Sequence, residues 1–512
     1  MELKIKFLEW SAGLPVAMLN KEVAMEIGVH AKDRVSIKIL SKNSKIREIT
    51  TIIDTIDTLI KKDEIAISSE IKKRMNLKEG QKVEVSLALK SNSLIFIKKK
   101  LDKKSLSKEE IEEIIKDVVN NSLSEAEVAI FISAMYQNNM SMKEIVYLIN
   151  AILKSGNKLS LNKKLIVDKH SIGGIAGNRT TPLVVSICAA AGLTVPKNSS
   201  RAITSAAGTA DVLETIADVD FSIDELKNIL EKTNACMVWG GSWGMVPADS
   251  KIIQIERLLK IDPEAQLLAS IMSKKLSVES KYILIDIPYG KGAKVSYARG
   301  LKLKKKFVSL GRHFDVHLKC VLTKGNEPIG NGIGPALELI DVIKILDPNK
   351  EGPKDLETKG LFIAGEILEM TGKAKKTKGF DLAKKILSSG KAFEKFKQII
   401  IAQNGSLEKL KQERFENSKG FIKRFISKKY LFKKDILFKY SGKIKEIDNK
   451  SVNSLARMAG CPADKYSGVY LYFHVNDKVK KGEKILTIYS ESYSRLKQAI
   501  KFYNNNKIIK LY

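Results

Sequence analysis

Leu165-Ile166-Val167-Asp168-Lys169-His170-Ser171-Ile172-Gly173-Gly174-Ile175-Ala176-Gly177 is followed by Thr180-Thr181-Pro182 and a long apolar run. An apolar strand (165–167) therefore enters a glycine turn, and the turn opens a helix. Glycines let backbone N–H groups approach an anion, and the helix end adds partial positive charge. Lys169 and Ser171 offer a cation and a hydroxyl. A second strand-like run (193–195) leads into Ser199-Ser200-Arg201-Ala202-Ile203-Thr204-Ser205-Ala206-Ala207-Gly208-Thr209, where five hydroxyls and Arg201 surround a small-residue turn. Each turn alone could be an ordinary strand-to-helix connection. Together they read as two sides of one anion pocket.

Outward from this stretch, strands alternate with helices: 165–167, 193–195, 236–239, 282–287 and 317–322 are the expected strands. That alternation predicts a mostly parallel sheet covered on both faces, with ligands at the carboxyl ends of its strands. Asn331 to Glu338 forms a further glycine turn into a helix, and Asp347 to Gly360, rich in Pro, Gly and Lys, reads as an exposed loop. Upstream, a shift of 48 positions aligns Leu19 with Ile67, Val23 with Ile71, Val35 with Val83 and Ile37 with Val85. Each copy contains a strand, a capped helix, a turn and a second strand, which predicts a small interlocked β-barrel with pseudo-twofold symmetry. A lysine-rich join (98–104) then leads to three capping boxes, Ser107 with Glu110, Ser124 with Glu127 and Ser141 with Glu144. From about 438 the pattern changes to short strands and turns.

The expected organisation is multidomain α/β. Residues 1–95 form an N-terminal barrel, and residues 100–162 a helical subdomain joined by the helical stretch 250–276. Residues 163–430 form the α/β phosphate- and nucleotide-binding domain, and residues 435–512 a C-terminal α+β domain.

With 512 residues, 44% hydrophobic and 29% charged, the chain fits a soluble globular protein with several cores. No window reaches the length of a membrane span, the N-terminus lacks the marks of a secretion signal, and a cytoplasmic location is expected. Cys188, Cys236, Cys320 and Cys461 are too scattered for a disulfide framework or a zinc site. His313 and His317 have zinc-helix spacing, but Phe314 stands where a metalloprotease needs glutamate. The net charge of +31 raises nucleic acid as a partner. The lysines are dispersed, however, and read as solvated surface with no specific nucleic-acid site. Residues 419–434, where aromatics alternate with cations, are the best local candidate for a basic segment, and read equally well as a linker.

Asp168-Lys169-His170-Ser171-x-Gly173-Gly174, with Ser199-x-Arg201 and Gly208-Thr209-x-Asp211-x-x-Glu214, resembles the thymidine and pyrimidine-nucleoside phosphorylase family. The run from Ser200 to Thr209, with Ile261-Asp262-Pro263-Glu264, is similar to its archaeal AMP phosphorylase branch. The likeness spans nearly the whole chain. It implies phosphorolysis of nucleoside 5′-monophosphates, AMP first and CMP and UMP next, to free base and ribose 1,5-bisphosphate. It further implies phosphate at Lys169, Ser171, Ser199 and Thr209. Nucleotide contacts would be Gly174, Ser200, Arg201, Ala202, Ile203, Thr204, Ser205, Thr209, Ser270 and Lys294. Asp262 would be the catalytic proton donor, in an enclosed cleft. No metal or cofactor is implied beyond phosphate as co-substrate, and the barrel would serve assembly of a homodimer or larger oligomer.

Read from the residues alone, Asp262-Pro263 is an N-cap followed by the first helical position, a role that can coexist with catalysis. Ser270 and Lys274 share one helix face, and Lys274 and Lys275 could face solvent. Against the pyrimidine enzymes, Ile255 stands where an arginine is usual, and Thr204-Ser205-Ala206-Ala207 replaces a His-Thr-Gly-Gly turn. Ser242-Trp243-Gly244 and Ser250 are unusual within the AMP branch. A thymidine or pyrimidine-nucleoside phosphorylase, a phosphoribosyltransferase of related architecture, and a non-catalytic basic nucleotide- or RNA-binding protein are the alternatives.

Overall fold

The sequence repeat is a symmetry axis of the fold. In this computed structural model, β1 (Glu2–Phe7), β2 (Val16–Asn20), β3 (Arg34–Ile39), β4 (Glu48–Ile56), β5 (Glu64–Ile67) and β6 (Lys82–Leu87) close a barrel in the order β1-β5-β2-β4-β3-β6. The two repeats interlock: β1 runs parallel to β5 of the second copy, and β4 parallel to β2 of the first. Met18 pairs with Ala66 and Ile37 with Val85, so the residues related by the shift face each other where the axis crosses the barrel. The alternation of the strands buries Leu3, Ile5, Leu19, Ile37, Ile53 and Val85 in one core.

The structure describes residues 1–8, 10–12, 15–39, 48–88, 91–202, 205–241, 243–406 and 431–512, without the side chains of Lys73 and Arg74. These divide into two units, residues 1–155 with 247–266, and residues 156–246 with 267–512. Ile203, Thr204, Ser242 and all but the end of the basic stretch 419–434 lie outside the described residues.

In the first unit, all three capping boxes form and start the helices Lys108–Asn120, Glu125–Asn138 and Met142–Lys154. The lysine-rich join differs from its expected form, because its first part belongs to a helix, Ser93–Leu101. Lys100 is buried there because it meets a counter-charge, its Nζ lying 3.0 Å from Glu144. Glu144 also accepts from the N–H groups of Leu106 and Ser141 at 3.0 and 2.8 Å, and these bonds with Lys100 hold its carboxyl below the usual range against its burial. Glu144→Ala would strand a buried ammonium, and urea denaturation at pH 7 should show a loss of about 3 kcal/mol. The wild-type contribution is full above the ordinary glutamate value and is lost as pH falls through the lowered folded one. The difference between the two proteins should therefore shrink in acid.

The helix Pro247–Leu259 completes this unit. Its Lys251 donates to the carbonyls of Val118 and Val119 at 3.0 and 2.7 Å, where a cation suits the helix C-terminus.

The second unit contains the α/β layer. β7 (Val167–Ser171), β8 (Val195–Ser199), β9 (Ala235–Trp239), β10 (Tyr282–Tyr289) and β11 (His317–Lys324) are parallel. Their order is β11-β10-β7, then β8-β9, with the two sets joined by a bridge between Ile166 and Thr194. Five strands lie where five were expected, but β7 and β8 begin only at the last residue of the expected ranges 165–167 and 193–195 and run on to Ser171 and Ser199. Their charged residues continue the ladder because partners on neighbouring elements neutralise them in the interior.

Another difference follows from the same cause. Asp347 to Gly360 is not simply an exposed loop: the helix Lys354–Met370 begins inside it, with Leu356 and Gly360 buried. Lys359 reaches Asp286 of β10 at 3.2 Å. β12 (Gly332–Ile333) joins three strands from beyond residue 431, β13 (Phe432–Leu437), β15 (Gly468–Leu471) and β17 (Lys484–Ser490), in one sheet. β14 (Gly442–Ile447), β16 (Lys478–Val479) and β18 (Ile509–Leu511) form another. The helices Asn449–Ala459 and Tyr493–Asn505 pack with them.

Candidate active site

The carboxyl ends of β7 and β8 carry the two turns. Lys169 points into the protein from β7, with its Nζ donating to Thr180 Oγ1 at 2.7 Å and Thr181 Oγ1 at 3.3 Å. Those threonines begin the helix Thr180–Ala190. Ser171 ends β7, and its Oγ accepts from the Gly173 N–H at 3.4 Å. Gly173, Gly174 and Gly177 all have positive φ, the conformation that only glycine adopts at low cost. At Gly174 a Cβ would also come within 2.9 Å of Lys294, so the turn and Lys294 are neighbours.

The second turn is closed by Asp211, which accepts from the N–H groups of Ala202 and Gly208 at 2.7 and 2.8 Å. Ser199 ends β8, its Oγ donating to the Val238 carbonyl at 3.3 Å. Ser205 Oγ donates to the Ala207 carbonyl at 3.0 Å. Arg201 makes a two-pronged pair with Glu214 at 2.5 and 2.6 Å, and Lys465 reaches Glu214 at 2.6 Å. Glu214 is thereby pulled down to about 2, first by Arg201. Ser200 packs against Gly208, where no Cβ fits.

Arg179, which the sequence reading did not single out, ties the turns together. It precedes the first helix, donates to Thr209 Oγ1 at 2.9 Å and to the Ala207 carbonyl at 2.7 Å, and pairs with buried Glu338 at 2.6 Å. Glu338 in turn accepts from the Gly334 N–H. The glycine turn at 331–338 thus matters as the base of this connection.

Around these strand ends and the 331–338 turn, buried cations outnumber buried carboxylates by one: Lys169, Lys197, Lys274, Lys275, Lys359 and Arg179 against Asp168, Asp211, Asp286, Glu338 and Asp341. Asp168 alone takes Lys275 at 2.8 Å and Lys197 at 3.3 Å. Burial and neighbouring cations bring Lys169 down to about 7, and burial first of all pushes Lys275 well below its ordinary value. His170 is likewise driven well below 6.5 by burial and by the lysines around it. A site so rich in buried positive charge is relieved by an anion.

Lys274 and Lys275 are buried, contrary to a solvent-facing role. Lys275 is the counter-ion of Asp168, and Lys274 donates to Ser270 Oγ at 2.7 Å. The Lys274 carbonyl also accepts from Asn198 of β8 at 3.1 Å, which sets this end of the helix Glu264–Leu276 beside the strand. Asp262 is exposed, and the helix starts at Glu264, so Pro263 takes the cap position and Asp262 stands one residue ahead of it, not at the cap as the sequence suggested. Lys294 is exposed as well. Among the described residues, no group of three or more His, Cys, Asp or Glu could hold a metal ion, and no helix is long and apolar enough to cross a membrane. The four cysteines are free and buried.

The sequence matches the helical bundle domain of the glycosyl transferase family over residues 95–156 and that family's a/b domain over 163–393. Residues 443–510 match the pyrimidine nucleoside phosphorylase C-terminal domain. An AMP phosphorylase of Thermococcus kodakarensis is 42% identical over 98% of this chain and 96% of its own length. One of Pyrococcus horikoshii is 45% identical over the same shares. Among solved structures, the anthranilate phosphoribosyltransferase of Thermus thermophilus shares the fold at 17% identity and a TM-score of 0.52, covering 60% of this chain and 99% of its own. With glycine turns, buried cations and near-full-length identity in agreement, the chain belongs to the AMP phosphorylase branch of the thymidine and pyrimidine-nucleoside phosphorylase family.

Proposed function

We propose that the chain catalyses phosphorolysis of nucleoside 5′-monophosphates, AMP before CMP and UMP, giving free base and ribose 1,5-bisphosphate. The observation that carries this reading is that Arg179 joins two strand-end turns within an excess of buried positive charge to which it belongs. The activity named for its relatives agrees with it. In the proposed reaction a phosphate oxygen bonds to C1′ of the ribose as the C1′–N bond to the base breaks. Lys169, Ser171, Ser199 and Thr209 hold the phosphate, so that positioning and electrostatics do most of the work. Gly174, the described residues of the second turn, Ser270 and Lys294 hold the nucleotide. Asp262 gives its proton to a ring nitrogen of the departing base, and phosphate is the only co-substrate. The reading includes a homo-oligomer assembled through the barrel and a cytoplasmic location.

Chromatography of mixtures with phosphate tests the reaction. Adenine should be released from AMP, and little or no base from adenosine, uridine or thymidine. Release from the unphosphorylated nucleosides alone would mean a nucleoside phosphorylase, and no turnover with retention of RNA at low salt a binding protein.

A further inference from the structure

The C-terminal helix Asn449–Ala459 touches the turns that the proposed reaction uses. Its residues Asn449, Asn453 and Arg457 stand four apart and so share one face. Asn449 Oδ1 accepts from the Ala176 N–H of the first turn at 3.2 Å, and its Nδ2 donates to the Gly325 carbonyl, just past β11, at 3.4 Å. Gly292, in the turn that carries Lys294, packs so closely that a Cβ there would lie 3.2 Å from Asn449 Cβ. Asn453 Oδ1 accepts from the Ala206 N–H of the second turn at 3.1 Å, and Arg457 donates to the Ser205 carbonyl at 3.3 Å. On the adjoining face, Val452, Leu455, Ala456 and Ala459 are buried in the C-terminal core, and Ala176 and Ala206 belong to that same core. Each turn is thus fastened by a methyl in the core and by an N–H on an asparagine, and the second turn also by Arg457.

We propose that Asn449 and Asn453 are positioning residues for the proposed reaction, with Asn453 setting the nucleotide-binding turn and Asn449 setting the first turn and the Lys294 turn together. The inference rests on the phosphorolysis reading. Its physical basis is that a turn with several glycines or small residues has many accessible conformations, and a fixed acceptor on one N–H selects among them. The C-terminal domain then acts on substrate affinity without touching substrate.

Steady-state kinetics of the full-length variants, with AMP and phosphate each varied, tests this. Asn453→Ala should raise the KM for AMP about 5- to 10-fold, the effect of one lost hydrogen bond, with the KM for phosphate within about twofold, because Ser199 and Thr209 at the two ends of the turn keep their own bonds to Val238 and Arg179. Asn449→Ala should raise both. Asn453→Asp keeps an acceptor oxygen and should restore most of the AMP affinity. Thermal unfolding midpoints should remain within a few degrees of the parent. Equal changes in both constants for Asn453→Ala, unchanged constants, or failure of Asn453→Asp to restore affinity would overturn the positioning role. Absence of AMP turnover in the parent protein would overturn the phosphorolysis reading instead.

Discussion

Asp262→Asn should slow AMP phosphorolysis by ~10²-fold or more while leaving the KM for AMP nearly unchanged. The amide keeps the size and polarity of the carboxyl but has no acidic proton to give. Adenine must then leave as an anion or find a proton in solvent, and the cost falls in the transition state alone. A nucleotide whose base already carries positive charge, such as the 5′-monophosphate of 7-methylguanosine, needs no such proton. With that substrate the variant should lose much less. Equal losses on both substrates would remove the acid role, and unchanged AMP turnover would leave Asp262, exposed ahead of the helix Glu264–Leu276, as a helix-entry residue only.

Lys169→Met should lower kcat/KM by ~10²- to 10³-fold, the size of effect seen when one fixed charge-stabilising donor is removed. It should also abolish the rise in unfolding temperature that phosphate gives the parent protein, since a ligand stabilises only what it binds. The unliganded variant should unfold within a few degrees of the parent, because the lost attraction of Asp286 and the lost bonds to Thr180 and Thr181 are offset by removing a buried cation crowded by Lys359, Lys197 and Arg179. The pH dependence has a definite sign. Lys169 titrates near 7 in the folded chain and at the ordinary 10.5 when unfolded, so unfolding takes up a proton between those values. Its contribution to the stability of the parent therefore rises with pH across that window, and the methionine variant should lack this rise. Calorimetry from pH 6.5 to 10 reads both effects, and a phosphate-dependent shift that survives in the variant would place the anion elsewhere.

The parts of the fold that were legible in sequence are those set by local pattern. A repeated strand-helix-strand order specified the barrel because related residues face each other across its axis, Ile37 against Val85. The serine-glutamate boxes at Ser107, Ser124 and Ser141 started helices where local hydrogen bonding requires them. The glycine turns were visible because positive φ demands glycine.

What composition hid was pairing over distance. Lys275 looks like a surface lysine until Asp168 of a remote strand is found 2.8 Å away, and Lys359 sits in a stretch whose Pro, Gly and Lys content suggests a loop. Arg179 and Asn449 gave no local signal at all. Their partners, Glu338 and the Ala176 N–H, come from other parts of the chain, and only the folded arrangement joins them.

The most direct test of the proposed reaction follows the oxygen atoms. AMP is incubated with the protein and phosphate labelled throughout with oxygen-18, and the sugar product is analysed by mass spectrometry. Attack by phosphate on C1′ predicts ribose 1,5-bisphosphate whose 1-phosphate retains all of its label, including the oxygen bridging to carbon. Ribose 5-phosphate with an oxygen from water, or the absence of any labelled bisphosphate while adenine is released, would contradict it.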